Sequence, residues 1–291
     1  MLALSLGLSA ALIWAVHDLL ARKLAPGAAL VPVVLLVLVS GSVALAVPTL
    51  IFGEWTRLSI RALVLSSMAG LAFALAIGAL YRAFSMAPAR IVSPIIGAYP
   101  MISLGLAVAQ GRAVTLADWA AVLAVVAGIA LVSLTASDDT IPGTAPESHL
   151  TASHLPAMGW SFLSACGFAA TFAIGQEAAR QASELPTILI TRLMAVVAIG
   201  ALFFWTRSSL ASLRGNWPVL AAMGVMDAIA LSLVTASGTF PNAEYAAVSA
   251  SLFGVGTILL AAHFLNESLR PLQWAGVVTV FGGIAILSLQ G

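Results

Sequence analysis

A stretch that occurs twice, once near the middle of the chain and once at its end, constrains the fold more than any other feature. Both copies carry a tryptophan followed by small and branched apolar residues, in the same register and without a gap. The matched residues are Trp119-Ala120-Ala121-Val122, Val125, Gly128-Ile129-Ala130 and Ser133-Leu134, against Trp274-Ala275-Gly276-Val277, Val280, Gly283-Ile284-Ala285 and Ser288-Leu289. Their separation of about 155 residues is too long for a solenoid unit, so it indicates duplication of half a protein.

Each copy is apolar for roughly 20 residues, which is the length of helix that crosses a bilayer. The composition agrees, because 61% of the residues are hydrophobic and only 8% are charged. A soluble domain has about 25% charged residues. The net charge of +1 gives no basic surface that would bind nucleic acid. The chain is therefore predicted to be an all-α membrane protein, since continuous apolar runs favour helices over barrel strands.

Apolar segments separated by short polar breaks predict ten transmembrane helices. They lie near 2–21, 28–52, 62–85, 91–110, 116–135, 157–177, 185–206, 217–237, 245–264 and 271–289. The predicted domains are a first five-helix repeat, a polar linker and a second five-helix repeat, at 1–136, 137–156 and 157–291. Because each repeat has an odd number of helices, the second enters the membrane inverted. Inverted repeats are common in transporters, whose binding site lies between the halves.

Charged side chains inside apolar segments are candidates for function, because each costs roughly 2.5–3.5 kcal/mol at the centre of the bilayer. Trp14, His17 and Asp18 lie together in span one. In a functional interpretation, Asp18 binds a proton or a substrate amine, and Trp14 lines a cavity. In a structural one, which is equally supported, His17 and Asp18 pair with Arg22 or Lys23 near the end of the helix.

Arg192 and Asp227 lie within the neighbouring spans seven and eight, where an isolated charge would be costly. They are expected to form an ion pair. Either the pair only fixes span seven on span eight, or it also contacts substrate where the two side chains meet in a cavity.

Span four is a candidate cavity wall because prolines interrupt it. The chain runs from Tyr81 at the end of span three to Pro94, Tyr99 and Pro100. Prolines within a helix free backbone carbonyls and kink the helix. Such carbonyls are tolerated in a membrane only where protein or a water-filled cavity satisfies them. A kinked packing helix without a substrate role is the alternative. Span nine has no such prolines.

Small residues four apart predict close helix packing in spans five and ten. The two faces are Ala124-xxx-Gly128 and Thr279-xxx-Gly283. The neighbour is either a helix of the same chain or a second copy of the chain in a homodimer.

Motifs of the common enzyme classes are absent from the sequence. It has no phosphate-binding Gly-Lys-Ser/Thr loop, no His-Glu-x-x-His and no Gly-x-Ser-x-Gly. Its 4 histidines are scattered and it has 1 cysteine, which gives little support for a metal site. We therefore predict no cofactor, no metal and no enzymatic activity.

Taken together, these features resemble the drug/metabolite transporter superfamily, of the EamA type, over nearly the whole chain. The residues that carry the resemblance are Ala11-Leu12-Ile13-Trp14-Ala15, Pro100, Trp119 to Gly128, Arg192, Leu265-Asn266-Glu267-Ser268-Leu269, Gln273-Trp274-Ala275-Gly276 and Gly282-Gly283. The chain departs from the family pattern at Arg112, where a glutamate is usual, and at Val255, where a proline is usual.

The resemblance implies movement of small metabolites through a central cavity lined mainly by spans one, three, four, six, eight and nine. It also implies cytoplasmic termini, whereas a simple count of Arg and Lys in the connections places the N-terminus outside; we follow the resemblance. The prediction is a multi-pass secondary transporter of the plasma membrane, in bacteria the inner membrane. It would export or exchange small metabolites or amino acids by alternating access.

Two alternatives stand beside the transporter. One is a membrane-embedded enzyme that uses Asp18 and Asp227 as paired carboxylates, or His17 as a base. The other is a non-transporting membrane subunit or receptor. The partners expected for a transporter are a small-molecule solute and the lipid bilayer.

Overall fold

The computed structural model describes residues 1–24, 30–84, 86, 92, 95–111, 113–135, 155–213, 215–264 and 269–290. Regular structure among these residues is helical throughout, as expected where backbone groups have to pair internally in lipid. The helices are α1 (Leu2–Leu24), α2 (Leu30–Phe52), α3 (Ile60–Phe84), α4 (Tyr99–Ala109), α5 (Leu116–Thr135), α6 (Leu155–Gln181), α7 (Glu184–Trp205), α8 (Trp217–Ala236), α9 (Glu244–Ala250), α10 (Phe253–Phe264) and α11 (Pro271–Gln290). The ninth span consists of α9 and α10.

The outer surface of the bundle suits lipid. Among the described helices, α2, α3, α6, α7 and α8 are each long and apolar enough to cross a membrane, and α1, α4, α5 and α11 contain shorter apolar stretches. Large apolar side chains such as Val43, Leu123, Val197 and Val278 are exposed on the outside of these helices. In water such a surface would favour association, whereas in a bilayer it contacts acyl chains.

The two repeats are related by a pseudo-two-fold arrangement in which each span corresponds to the span five later. α3 packs on α6 as α8 packs on α1, and α2 packs on α8 as α7 packs on α3. The equivalent helices α5 and α11 pack on each other and run antiparallel, because Gly128 faces Gly276 while Gly283 faces Ala121 and Val125. The predicted inverted repeats are therefore confirmed.

Two pairs of equivalent helices lie at opposite ends of the molecule. The α5–α11 pair contacts α4 and α10, and the α2–α7 pair contacts α3 and α8. Spans one, three, four, six, eight and nine lie between these pairs. The family resemblance implies that these same spans line a central cavity.

Close approach of α5 and α11 depends on three glycines, of which Gly128 and Gly283 were predicted and Gly276 was not. A Cβ added at Gly128 would lie 2.6 Å from a methyl group of Val280 and 2.7 Å from the carbonyl oxygen of Gly276. Thr279 is exposed, so its assignment to the packing face is wrong. Gly276 and Gly283, which are seven residues and about two helical turns apart, form that face instead.

Spans four and nine are both interrupted, although only span four contains prolines. α4 begins after a turn at residues 97–98 and has Pro100 in its first turn. Span nine is interrupted at the equivalent residues 251–252. There the Ser251 hydroxyl donates to the carbonyl of Val248 at 2.7 Å. Serine hydroxyls compete with the helix backbone in this way, so proline is not what the two breaks share.

Candidate functional site

An ion pair lies in the interior of the second repeat. Arg192 on α7 is completely buried, and Asp227 on α8 is 8% exposed. The guanidinium nitrogen Nη1 lies 2.7 Å from the carboxylate oxygen Oδ2. Removing one partner of such a pair leaves an uncompensated buried charge, so each residue depends on the other.

The same ion pair is bound to the first repeat. The indole nitrogen of Trp14 on α1 donates to Oδ1 of Asp227 at 2.9 Å. Nη2 of Arg192 donates to the carbonyl of Val37 on α2 at 3.3 Å. Hydrogen bonds to an ionised group are stronger than neutral ones. These contacts, named here the cross-repeat network, therefore tie the two halves together near the centre of the molecule.

Two glycines make room for the cross-repeat network beside α2. Gly41 lies against the guanidinium of Arg192 and the carbonyl of Gly224. Gly224 in turn lies against Ser40 and the carbonyl of Val37. A side chain at either glycine would overlap these atoms, so small residues are what let the backbones of α2 and α8 approach this closely.

An aromatic cluster lies between the repeats, at the level where a cavity was expected. The ring of Trp14 is 6.1 Å from that of Phe172 and 6.2 Å from that of Phe253. Tyr99 is 5.5 Å from Phe172, and its hydroxyl donates to the carbonyl of Ala247 at 2.9 Å. These rings join α1, α4, α6 and the ninth span, and they fill the centre in this conformation.

The other predicted site residues are described only in part. His17 is half-buried on α1, three residues after Trp14. Pro100 is buried in the first turn of α4. Outside the described part of the structure lie the side chains of Asp18, Arg22, Lys23 and Tyr81, and the whole of Pro94. The structure brings together Trp14, Arg192 and Asp227. Their role in substrate binding or coupling stays a prediction.

A small half-open cleft with a cavity volume of about 10 Å³ lies between α4, α6 and α9. Phe172 belongs both to the cleft and to the aromatic cluster. The polar side chains that line the cleft are Ser103, Gln110, Gln176 and Glu244. Gln110 follows α4 and Glu244 begins α9, so the cleft lies at that end of the bundle.

Two of these residues, Gln176 and Glu244, were not among the site residues predicted from the sequence. Gln176 is buried in α6, and its amide nitrogen donates to the carbonyls of Val234 and Ala243 and to the Ser237 hydroxyl. The sequence could have indicated Gln176 through its neutral amide in an apolar span, because a buried polar group requires hydrogen-bond partners. Glu244 precedes the predicted start of span nine and resembled a loop residue, whereas the structure makes it the buried first residue of α9.

Grouped metal ligands are not seen in the part of the chain that the structure describes. Within those ranges, no three or more His, Cys, Asp and Glu residues lie together in a way that could hold a metal ion.

Comparison with solved structures supports the architecture. One crystal structure, described as "Crystal structure of protein", matches this chain with a TM-score of 0.81 and 16% sequence identity. The match covers 99% of this chain and 96% of the other. At this identity the likeness shows the fold alone. Among curated proteins, nothing matches the chain.

Comparison with protein families identifies both repeats. Residues 1–134 and residues 155–289 each match the model of the EamA-like transporter family. The two matches correspond to the two inverted halves seen in the structure, and they confirm the resemblance found in the sequence. The chain therefore belongs to the EamA-like transporter family and is a multi-pass membrane transporter of small solutes.

Proposed function

We propose that this protein is a secondary transporter that exports or exchanges small metabolites, amino acids among them, by alternating access. The observation that carries the proposal is the antiparallel packing of the equivalent helices α5 and α11, which makes the halves inverted copies. In inverted repeats, the contacts that close one side have counterparts that close the other. Rocking of the halves about a central site then exposes it to each side in turn.

The cross-repeat network is suited to hold one conformation of such a cycle. Trp14 moves with α1, whereas Asp227 moves with α8. Any rocking that separates these helices has to break a hydrogen bond to a buried carboxylate. A substrate that replaces the indole N–H, or separates the rings of Trp14 and Phe172, would shift the balance between conformations through its different affinity for each.

For proton coupling, Asp18 is the proposed residue. It lies four residues after Trp14 in α1 and next to the titratable His17. Asp227 is a weaker candidate, because its two carboxylate oxygens already accept from Arg192 and Trp14. Exchange of solutes without protons is the second possibility.

The engagement of Asp227 also counts against the enzyme alternative. In acid–base catalysis by paired carboxylates, one carboxylate has to take up and release a proton next to the substrate. Asp227 has both oxygens committed to other side chains. We therefore propose that the protein is not an enzyme.

Localisation and assembly complete the proposal. We place the protein in the plasma membrane, in bacteria the inner membrane, with both termini in the cytoplasm. Its partners are a small solute and lipid. α5 and α11 bury their glycine faces on each other within one chain, so a homodimer would use another surface.

Transport by the purified protein tests the function. A thermal-shift screen against metabolites identifies a ligand, and its uptake is then measured in proteoliposomes with a pH-sensitive dye inside. We expect solute movement accompanied by proton movement, with Asp18→Asn retaining ligand binding and losing the proton movement. The matched control is Glu54→Gln, an exposed acid in the α2–α3 connection.

Two results would count against these assignments. Proton movement that survives in Asp18→Asn removes Asp18 as the coupling residue. If no bound metabolite is moved by the wild-type protein, the transporter proposal fails, and the alternative of a non-transporting subunit is favoured.

A further inference from the structure

The short helix α9 is a separate element at one end of the bundle. Its 7 residues, Glu244–Ala250, are all buried. It is preceded by a turn in which Asn242 has a left-handed φ of 54°, and it is followed by the interruption at residues 251–252. Because neither α8 nor α10 continues into it, α9 can change its position through rotations at these two breaks.

Hydrogen bonds fix α9, which belongs to the second repeat, to three helices of the first. The Tyr245 hydroxyl donates to Oδ1 of Asp118 on α5. The Ser249 hydroxyl donates to the carbonyl of Leu4, near the start of α1, at 3.1 Å. α9 also accepts the hydrogen bond from Tyr99 on α4. Rocking that separates the repeats at this end of the molecule has to break all three.

The carboxylate of Asp118 is oriented toward Tyr245 by a capping box at the start of α5. Its Oδ2 accepts from the backbone nitrogen and from the hydroxyl of Thr115, each at 2.8 Å. The Thr115 hydroxyl accepts in return from the backbone nitrogen of Asp118 at 3.2 Å. Both partners of the cross-repeat bond are buried, since Asp118 is 4% and Tyr245 is 5% exposed. A hydrogen bond to a carboxylate that is shielded from water is stronger than a neutral one.

The equivalent position at the opposite end of the molecule is occupied by a neutral amide. In the register of the two repeats, Asp118 corresponds to Gln273, which is buried in the first turn of α11. The side-chain oxygen of Gln273 accepts from the backbone nitrogen of Arg270 at 2.8 Å, so it caps α11 as Asp118 caps α5. The repeats therefore share the capping role, whereas the carboxylate belongs to the end at which α9 lies.

The space between α9 and the first repeat is too small for a solute. The cleft between α4, α6 and α9 has a cavity volume of about 10 Å³, which is room for roughly one water molecule. Ala107 on α4 and Ala247 on α9 line this cleft from different repeats. A solute can pass here only if α9 moves away from α4.

We propose that α9 is the gate that closes the transport pathway at this end, and that the Tyr245–Asp118 hydrogen bond is its latch. The inference rests on the proposed function, in which the N-terminus, and with it this end of the bundle, is cytoplasmic. The conformation described here is then the one closed to the cytoplasm. Loss of the latch shifts the population toward a conformation that is open to the cytoplasm.

A cysteine in the cleft tests the gate in the purified full-length protein in detergent, without any solute. The reporter is Ala107→Cys in a Cys166→Ala background, and the probe is a charged maleimide, which enters the cleft only when α9 moves. Tyr245→Phe keeps the ring and removes the hydroxyl, and it is expected to raise the rate of labelling about tenfold. Ser249→Ala, which releases α9 from α1 and leaves the latch intact, is expected to raise it about threefold.

Two controls separate opening of the gate from general loosening of the fold. Ser164→Ala removes another buried hydrogen bond between the repeats, to the carbonyl of Ala76, in the half of α6 that lies away from α9. It is expected to leave the labelling of Ala107→Cys unchanged. Ala121→Cys is a second reporter, buried in the α5–α11 contact about one helical turn from Asp118. Its labelling is expected to stay slow in Tyr245→Phe.

The outcomes separate this inference from the proposed function. Equal acceleration of Ala107→Cys and Ala121→Cys by Tyr245→Phe overturns the latch, because the substitution then only loosens the packing. Labelling of Ala107→Cys that is unchanged in Tyr245→Phe and in Ser249→Ala, in a protein that moves a solute in proteoliposomes, overturns the gate and leaves the transporter intact. Acceleration of Ala107→Cys alone, in a protein that moves no solute, supports the movement of α9 and overturns the transporter.

Discussion

At the scale of residues, the buried Arg192–Asp227 pair differs from a surface ion pair of the same length. Arg57 and Glu54 also approach to 2.7 Å, but their side chains are 62% and 56% exposed. Water solvates exposed partners whether or not they meet, so such a pair contributes about 0–1 kcal/mol. Arg192 and Asp227 are buried away from water, so in the folded protein the charge of each is stabilised by the other.

We predict that Arg192→Met lowers the free energy of unfolding by about 3–5 kcal/mol, because the Asp227 carboxylate is left buried without its cation. In Arg192→Met/Asp227→Asn most of this loss should be recovered, since no charge remains and the asparagine oxygen still accepts from Trp14. Thermal unfolding in detergent measures both. The surface change Arg57→Met is the control, expected to stay within about 1 kcal/mol of wild type. A double variant as unstable as the single one would contradict the pairing.

At the scale of helices, the α5–α11 contact shows how two spans associate when both are surrounded by lipid. Apolar side chains gain little free energy when contacts with acyl chains are replaced by contacts with each other. Close packing of small residues therefore supplies the attraction between the helices. A Cβ at Gly283 would lie 2.7 Å from the carbonyl oxygen of Ala121 and 2.9 Å from a methyl group of Val125. The neighbouring Gly282 has nothing within 4 Å of that position.

These adjacent glycines provide a matched pair of substitutions. Gly283→Ala is expected to lower the free energy of unfolding by about 1–3 kcal/mol, because the helices have to move apart. Gly282→Ala is expected to be neutral or to stabilise by up to about 1 kcal/mol through better helix propensity. Melting temperatures in one detergent compare them. Equal effects of the two substitutions would show that the packing face is assigned wrongly.

At the scale of the whole molecule, inversion of the repeats determines which connections share a side of the membrane. The α2–α3 connection and the α7–α8 connection occupy equivalent places in the two repeats. In inverted repeats, equivalent connections lie on opposite sides of the bilayer. Repeats oriented alike would place both on the same side.

Cysteine labelling tests this arrangement directly. The native cysteine is replaced with Cys166→Ala, and the exposed positions Glu54 and Ser209 are changed to cysteine one at a time. A membrane-impermeant maleimide applied to intact cells should label Ser209→Cys and leave Glu54→Cys unlabelled if the termini are cytoplasmic. Both should react in broken cells. Labelling of both from outside would contradict the inverted topology.

The sequence alone determined the number of spans, the duplication and the inversion. These properties depend on the lengths of apolar segments and on their order along the chain, since in lipid every span has to satisfy its own backbone. The two family matches and the antiparallel α5–α11 pair agree with that prediction. The sequence also nominated Arg192 and Asp227 as partners, because two opposite charges in neighbouring spans have few other ways to be satisfied.

Only the tertiary structure decided which faces of the helices meet. Trp14 contacts Asp227 across 213 positions of the chain, Gly276 packs where Thr279 was expected, and Glu244 joins Ser103 in one cleft. A helix that is apolar all round has no hydrophobic side to indicate its orientation. Its rotation is set by close packing of small residues and by the few polar groups that have to find partners, and those depend on the whole bundle.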